Sequence, residues 1–388
     1  MARLIAVLDE KARALEAEAE VNEQLGKLSD RTLELLRESE VPNLFIPVEV
    51  GGLGLYPGDA LRVVERLATI DAVAGWIGGN WSSAGFFLSY LEPDVVSGML
   101  KKGAPLLGQS GAPSGKAIPV EGGYRVTGHW QFGSGDLQAE YIFVAAVVTD
   151  ADGAPQMIGS MPKMLTFGVT GADIEDRGNW DVIGLRATGS VDFAVTDVFV
   201  PDSMVVNPML PAPRATRANN GGIHLLLTYL HGGFALGAGR RLLDEIALLA
   251  QRPSSRGGSL SETALFRTDL AHHEAAFRAS RALLHETFAE VDVLLAAGGS
   301  LTRRDTTLLK MALVHVHDVL RDIAVFAFNR GSGTSLRAGQ LQRWVRDALA
   351  GCQHLIVQHA CLTDVGWELL GAPDDMVWAP FGLVPVPH

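Results

Sequence analysis

The sequence predicts a multidomain α+β protein with a helical N-terminal domain over residues 1–105, a small central β-barrel over 106–210 and an antiparallel four-helix bundle over 222–388. Three observations carry this prediction. Apolar residues recur at three- and four-residue spacing up to about residue 105. The spacing then gives way to short runs rich in Gly, Pro and β-branched residues. It returns beyond residue 222 and continues nearly to the end of the chain.

Within the first region, residues 7–40 carry helical spacing among many charged side chains. Pro42, Pro47, Gly51, Gly52 and Gly54 end that helix and force a turn. Residues 59–70 and 75–90 follow as two more helices, the second almost wholly apolar and therefore expected to be buried. In the middle region, 122–130 predicts a turn leading into a strand, and 141–148, 165–170 and 191–200 predict further strands. Short strands at close spacing suggest a small barrel or sandwich. Beyond residue 222, four long helices are expected over 223–250, 262–295, 302–329 and 341–370. Each spans roughly 40–50 Å at 1.5 Å per residue. Gly- and Ser-rich breaks separate them, which favours antiparallel neighbours.

At 388 residues the chain is too long for one ordinary core. Its 47% hydrophobic content and mean hydropathy of +0.18 leave apolar material for subunit interfaces. A net charge of -12 without basic runs argues against nucleic acid as a partner, since phosphates are met by clustered Lys and Arg. There is no uninterrupted apolar run long enough for a membrane span and no signal-peptide core at the N-terminus. The two cysteines, Cys352 and Cys361, are expected on one helix, ~13 Å apart and unable to pair. A cytoplasmic location follows as the expectation.

The most informative stretch runs from Asn179 to Ser190 and holds Trp180, Gly184, Leu185, Arg186, Thr188 and Gly189. Small hydroxyl residues and exposed amides beside a Trp suit a flat polar heterocycle or a phosphate. Thr188 and Ser190 equally suit a capped turn.

Four motifs in order resemble the acyl-CoA dehydrogenase fold superfamily, and most closely its two-component flavin-dependent monooxygenases. They are Pro47 with Gly51, Gly52 and Gly54; Gly128, Trp130, Phe132, Ser134 and Gly135; residues 180–190; and Leu341, Gln342, Arg343, Arg346 and Asp347 followed by His354. The resemblance implies an oxygenase that takes reduced FMN or FAD (FMNH2 or FADH2) from a separate NAD(P)H-flavin reductase. With O2 it would hydroxylate an aromatic or other electron-rich small molecule through a C4a-hydroperoxyflavin. It also implies a homotetramer whose flavin sites span subunits. Phe132, Ser134, Trp180, Arg186, Thr188 and Ser190 would hold the flavin from the β domain. Arg267, Gly331, Ser332 and Gly333 would complete the site from a neighbouring subunit. His354 and Ser134 are the implied catalytic pair, acting on the substrate or on the oxygen donor. Asn80 and Trp81 fall where some relatives place pocket-mouth residues.

Two other readings stay open. One is a flavin dehydrogenase of the same superfamily with an atypical base, since the usual catalytic-glutamate segment is absent. The other is a catalytically silent homologue acting as a binding subunit. A resident nicotinamide domain is not expected, because no complete G-x-G-x-x-G opens a helix after a strand. No metal is expected: His315, His317 and Asp318 crowd one helix without sharing a face.

Overall fold

The computed structural model describes the chain except for residues 102, 160, 209, 211–221, 254–256, 380–381 and 387–388. Its first region is helical. The helix expected over 7–40 is two helices, α1 (Ala2–Leu25) and α2 (Asp30–Glu38). Gly26 ends α1 in the left-handed conformation, and the Ser29 side chain starts α2 by accepting from the Thr32 amide. Two 3-10 turns, Val41–Asn43 and Val48–Val50, cover the Pro/Gly break. Then come α3 (Pro57–Ile70), with Pro at its first position, α4 (Ala72–Ala84) and α5 (Pro93–Leu100). Asp71 caps α4 by accepting from the Ala74 amide at 2.7 Å. All residues of α4 except Asn80 are buried, which accounts for its largely apolar sequence.

The middle region contains β1 (Leu107–Val120), β2 (Gly123–Trp130), β3 (Tyr141–Val148), β4 (Met157–Ile158), β5 (Met161–Pro162), β6 (Met164–Thr170), β7 (Glu175–Asp176), β8 (Phe193–Pro201) and β9 (Val205–Val206). Seven of these form one sheet in the order β7-β8-β2-β1-β3-β6-β9, while β4 and β5 pair with each other. The β1–β3 pair is parallel and the others are antiparallel. The sequence predicts a small barrel, but among the described residues no ladder joins the two ends of this sheet. Its two edge strands are two residues each and too short to carry a ladder across. Trp130, Phe167 and Phe193 fill its core.

The last region holds α6 (Gly222–Ala250), α7 (Ala264–Ala296), α8 (Arg303–Gly331), the short α9 (Gly333–Leu336), α10 (Gln340–Gly351) and α11 (Ala360–Leu369). A hairpin of β10 (Met376–Ala379) and β11 (Gly382–Pro385) closes the described chain. The fourth long helix expected over 341–370 is therefore broken. A 3-10 turn, Leu355–Val357, separates α10 from α11, so Cys352 and Cys361 lie on different elements. Both remain free thiols. Helix α3 packs along α6, α6 packs along α8, and the helices of both ends share one apolar core through Leu67, Leu230, Phe234 and Ile323. Among the described residues no helix is long and apolar enough to cross a membrane.

Candidate active site

The site is built where α4, the loops of the sheet and the α10–α11 break converge. Trp76 and Asn80 are one turn apart on α4 and so share a face. Both reach the loop after β2. Trp76 Nε1 donates to Ser134 Oγ at 3.2 Å, and Asn80 Nδ2 donates to the Ser134 carbonyl at 3.1 Å. Ser134 Oγ lies 2.6 Å from Ser190 Oγ, which lies 2.6 Å from Thr188 Oγ1. Thr188 Oγ1 donates to the Leu185 carbonyl at 2.7 Å.

These four contacts have only one consistent set of hydrogens. Thr188 spends its hydrogen on Leu185, so Ser190 donates to Thr188. Ser190 is then used, so Ser134 donates to Ser190. Ser134 is left as an acceptor on its other side, where the donor-only indole meets it. Thr188, Ser190 and Ser134, expected from the sequence, are thus brought together as one buried ladder.

The outer rim of the same loops is different in character. Phe132 is 68% exposed and holds φ of +59, a conformation that costs an aromatic residue energy. Its ring meets Trp180 edge-to-face at 6.3 Å, and Arg186 is exposed beyond the buried Ala187. An exposed phenyl ring, a half-buried indole and an exposed guanidinium are a wall and donor set that fits a flavin ring and its phosphate. The loop is tied down from the helical side. Asp347 Oδ1 accepts from the Leu185 amide at 2.6 Å, and Arg346 Nη1 donates to the Ile183 carbonyl at 2.7 Å. A Cβ on Gly184 would lie 2.1 Å from the Arg346 carbonyl oxygen, so only glycine permits this approach.

His354 arrives from the helix break. At the end of α10, a Cβ on Gly351 would lie 2.2 Å from the Phe234 ring, and the chain then leaves the helix. His354 caps the 3-10 turn that follows, its Nδ1 accepting from the Ile356 amide at 3.4 Å. The proton therefore sits on Nε2. Its ring lies 5.9 Å from Trp76 and 4.1 Å from His231. Trp76 also meets His231 at 4.8 Å and Phe234 at 5.0 Å, both edge-to-face. His317 lies 6.5 Å beyond His231. Burial pushes His354 and His317 down to about 4. It pushes His231 well below its usual value, and the two neighbouring imidazoles add to that shift. All three are neutral at physiological pH.

Ser134 and His354, far apart in the sequence, thus flank one indole ring. Arg267, Gly331, Ser332 and Gly333 are placed elsewhere. Arg267 and Ser332 are exposed, and an Arg330–Asp269 ion pair joins the end of α8 to the start of α7. Among the described residues they make no hydrogen bond or ring contact with the 130–190 loops. His359 is exposed and pairs with Asp318 at 2.7 Å. Among the described residues no cluster of metal-binding side chains occurs. Trp76, His231 and His317 are the members of the site that sequence reasoning misses. The four-residue spacing of Trp76 and Asn80 is the one local signal that could have found part of it.

Residues 229–359 match the family model described as acyl-CoA dehydrogenase, C-terminal domain. The chain is 32% identical over 187 residues to a pigment production hydroxylase of Rhodococcus erythropolis, covering 48% of this chain and 47% of that protein. That alignment thus spans under half of the relative's length. It is 26% identical over 353 residues to an indole-3-acetate monooxygenase of Pseudomonas putida, covering 89% of this chain and 86% of the other. The structure of XiaF from Streptomyces sp., in complex with FADH2 and glycerol, superposes with a TM-score of 0.85 at 19% identity, covering 96% of each chain. These likenesses bear out the resemblance drawn from the four motifs.

Proposed function

We propose that this chain, which carries the fold of the acyl-CoA dehydrogenase superfamily, is the oxygenase component of a two-component flavin-dependent monooxygenase acting on an aromatic or other electron-rich small molecule. Reduced FMN or FAD, delivered by a separate NAD(P)H-flavin reductase, would supply the oxygen-activating chemistry when bound. Phe132, Trp180 and Arg186 would hold its ring and phosphate at the rim, backed by the Thr188–Ser190 turn. Ser134 would accept a hydrogen bond from the substrate. His354 would present its Nε2–H to developing negative charge, which a neutral imidazole can do without first losing a proton. Phe234 would help keep water from the reacting atoms.

Arg267, Gly331, Ser332 and Gly333 would complete the flavin site of a neighbouring copy. The helices from residue 222 onward would then act as an antiparallel bundle through which four copies assemble. The two unpaired cysteines support a cytoplasmic setting.

The observation that carries this reading is the meeting of Ser134 and His354 around one aromatic ring. A thioester dehydrogenase needs a carboxylate base, whereas the groups around Trp76 are hydroxyl, imidazole and phenyl. The test supplies reduced FMN or FADH2 through an added reductase, with oxygen and a panel of phenols. Hydroxylated product is counted against hydrogen peroxide. Product formation is expected for part of the panel. Peroxide alone throughout, with a tightly bound yellow flavin that an acyl-CoA bleaches, would refute the reading.

A further inference from the structure

The space between Ser134 and His354 is filled, and what fills it is Trp76. The indole is 8% exposed. Its N–H reaches Ser134 Oγ, and its ring is edge-on to His231, Phe234 and His354. Two features are unusual for a core tryptophan. The first is its partner. Trp130 of the same chain donates to a fixed backbone carbonyl, that of Ala145, at 2.9 Å. Trp76 instead donates to the one oxygen of the hydroxyl ladder that faces the site. The second is its surroundings. His231 Nδ1 and His317 Nε2 are both buried without a partner among the described residues. His317 Nδ1 is 2.8 Å from the Leu313 carbonyl and must donate there, so its Nε2 is a bare acceptor. Unpaired buried polar atoms are costly, and they mark places that a ligand, a mechanism or a water molecule serves.

We propose that Trp76 holds the place of the substrate ring, and that it gives way to a planar aromatic molecule bearing an O–H or N–H donor. The proposal rests on the oxygenase reading and narrows its substrate class. Ser134 can only accept at this face, so an entering ring must bring a hydrogen to replace the one that Trp76 withdraws. Thioethers, methyl ethers and bare hydrocarbons cannot do so. They would leave Ser134 Oγ without the donor that Trp76 had supplied. Trp76 is therefore a specificity-determining residue, selecting by competition for one acceptor.

The test uses the full chain carrying 5-fluorotryptophan, with reduced FMN, under anaerobic conditions. The Trp76 resonance is assigned by its loss in W76F. Phenol is expected to shift that resonance, whereas anisole, the same ring without the donor, leaves it in place. The W76F chain keeps an aromatic ring but lacks the competing N–H, and should bind phenol about five-fold more tightly. A Trp76 resonance unmoved by saturating phenol, an equal response to anisole, or unchanged phenol affinity in W76F would each overturn the proposal. Movement of the resonance without any hydroxylation once oxygen is admitted would leave the proposal standing and count against the oxygenase reading. Hydroxylation with a stationary resonance would do the reverse.

Discussion

Replacing Asp347 by Asn changes one charge in the anchor that holds the 180–190 loop, and its effect depends on pH in a calculable way. Asp347 is 4% exposed and accepts from the Leu185 amide. Burial raises its pKa from 3.8 to about 7; Asp71 adds to the rise, while the Leu185 amide and Arg346 oppose it. Between those two values the folded chain keeps the proton and the unfolded chain does not. The stability contributed by this group is therefore complete below about pH 4 and lost as pH rises toward 7. A displacement from 3.8 to about 7 amounts to ~4 kcal/mol at full effect. The carboxamide of the Asp347→Asn chain would keep an oxygen for the Leu185 amide and cannot ionise. The stability difference between variant and wild type should thus widen by ~3 kcal/mol, in favour of the variant, between pH 4.5 and pH 8. Urea denaturation midpoints at the two pH values, with the slope checked for equality, measure it. A difference that stays constant, or moves the other way, would show that Asp347 is ionised in the folded chain and that the reasoning is wrong.

Three further perturbations test the site itself. Ser134→Ala removes the end of the ladder that meets Trp76 and leaves the Trp76 N–H unpaired. It should cost about 1–3 kcal/mol in denaturation experiments and lower product per reduced flavin at least about ten-fold. His354, held at about 4 by burial, should give a flat product yield between pH 6 and 8 and a fall as pH drops toward 4, where the imidazole takes up a proton. The His354→Gln chain should show a lower yield without that acidic limb, measured as product against peroxide. Gly184→Ala places a Cβ 2.1 Å from the Arg346 carbonyl oxygen, so the loop must shift. Its affinity for reduced flavin should fall by about ten-fold or more in anaerobic titration, on the order of 1.4 kcal/mol.

The long helices were legible because their apolar spacing persists over seven or more turns, a signal that local context cannot imitate. The break within 341–370 was not. Residues Leu355, Ile356 and Val357 keep a helical apolar pattern, so nothing local marks the 3-10 turn that they form. The split between α1 and α2 was readable, since Gly26, Ser29 and Asp30 form a stop and a start that the apolar spacing of 7–40 overshadows. Sheet closure was not readable, because it depends on pairing lengths at β7 and β9. The loop motifs carried the hydroxyl residues, Ser134 in one motif and Thr188 with Ser190 in another. His231 and His317 looked like ordinary helix histidines. Nothing in the sequence says that α6 turns His231 toward Trp76 or that α8 sets His317 behind it.

The hydroxyl ladder has a further consequence, because its two ends are terminators of opposite kind. An indole N–H cannot accept and a carbonyl cannot donate, so the three hydroxyl dipoles between them are poled in one direction. A row with a hydroxyl at each end could reverse. This one keeps its electron-rich pole at Ser134, and no dipoles need to turn when a ligand arrives. A ligand that has already lost its proton would meet that pole as a like charge. The molecule that replaces Trp76 should therefore arrive protonated and surrender its hydrogen only inside, so its apparent affinity should weaken as pH rises through the ligand's own pKa.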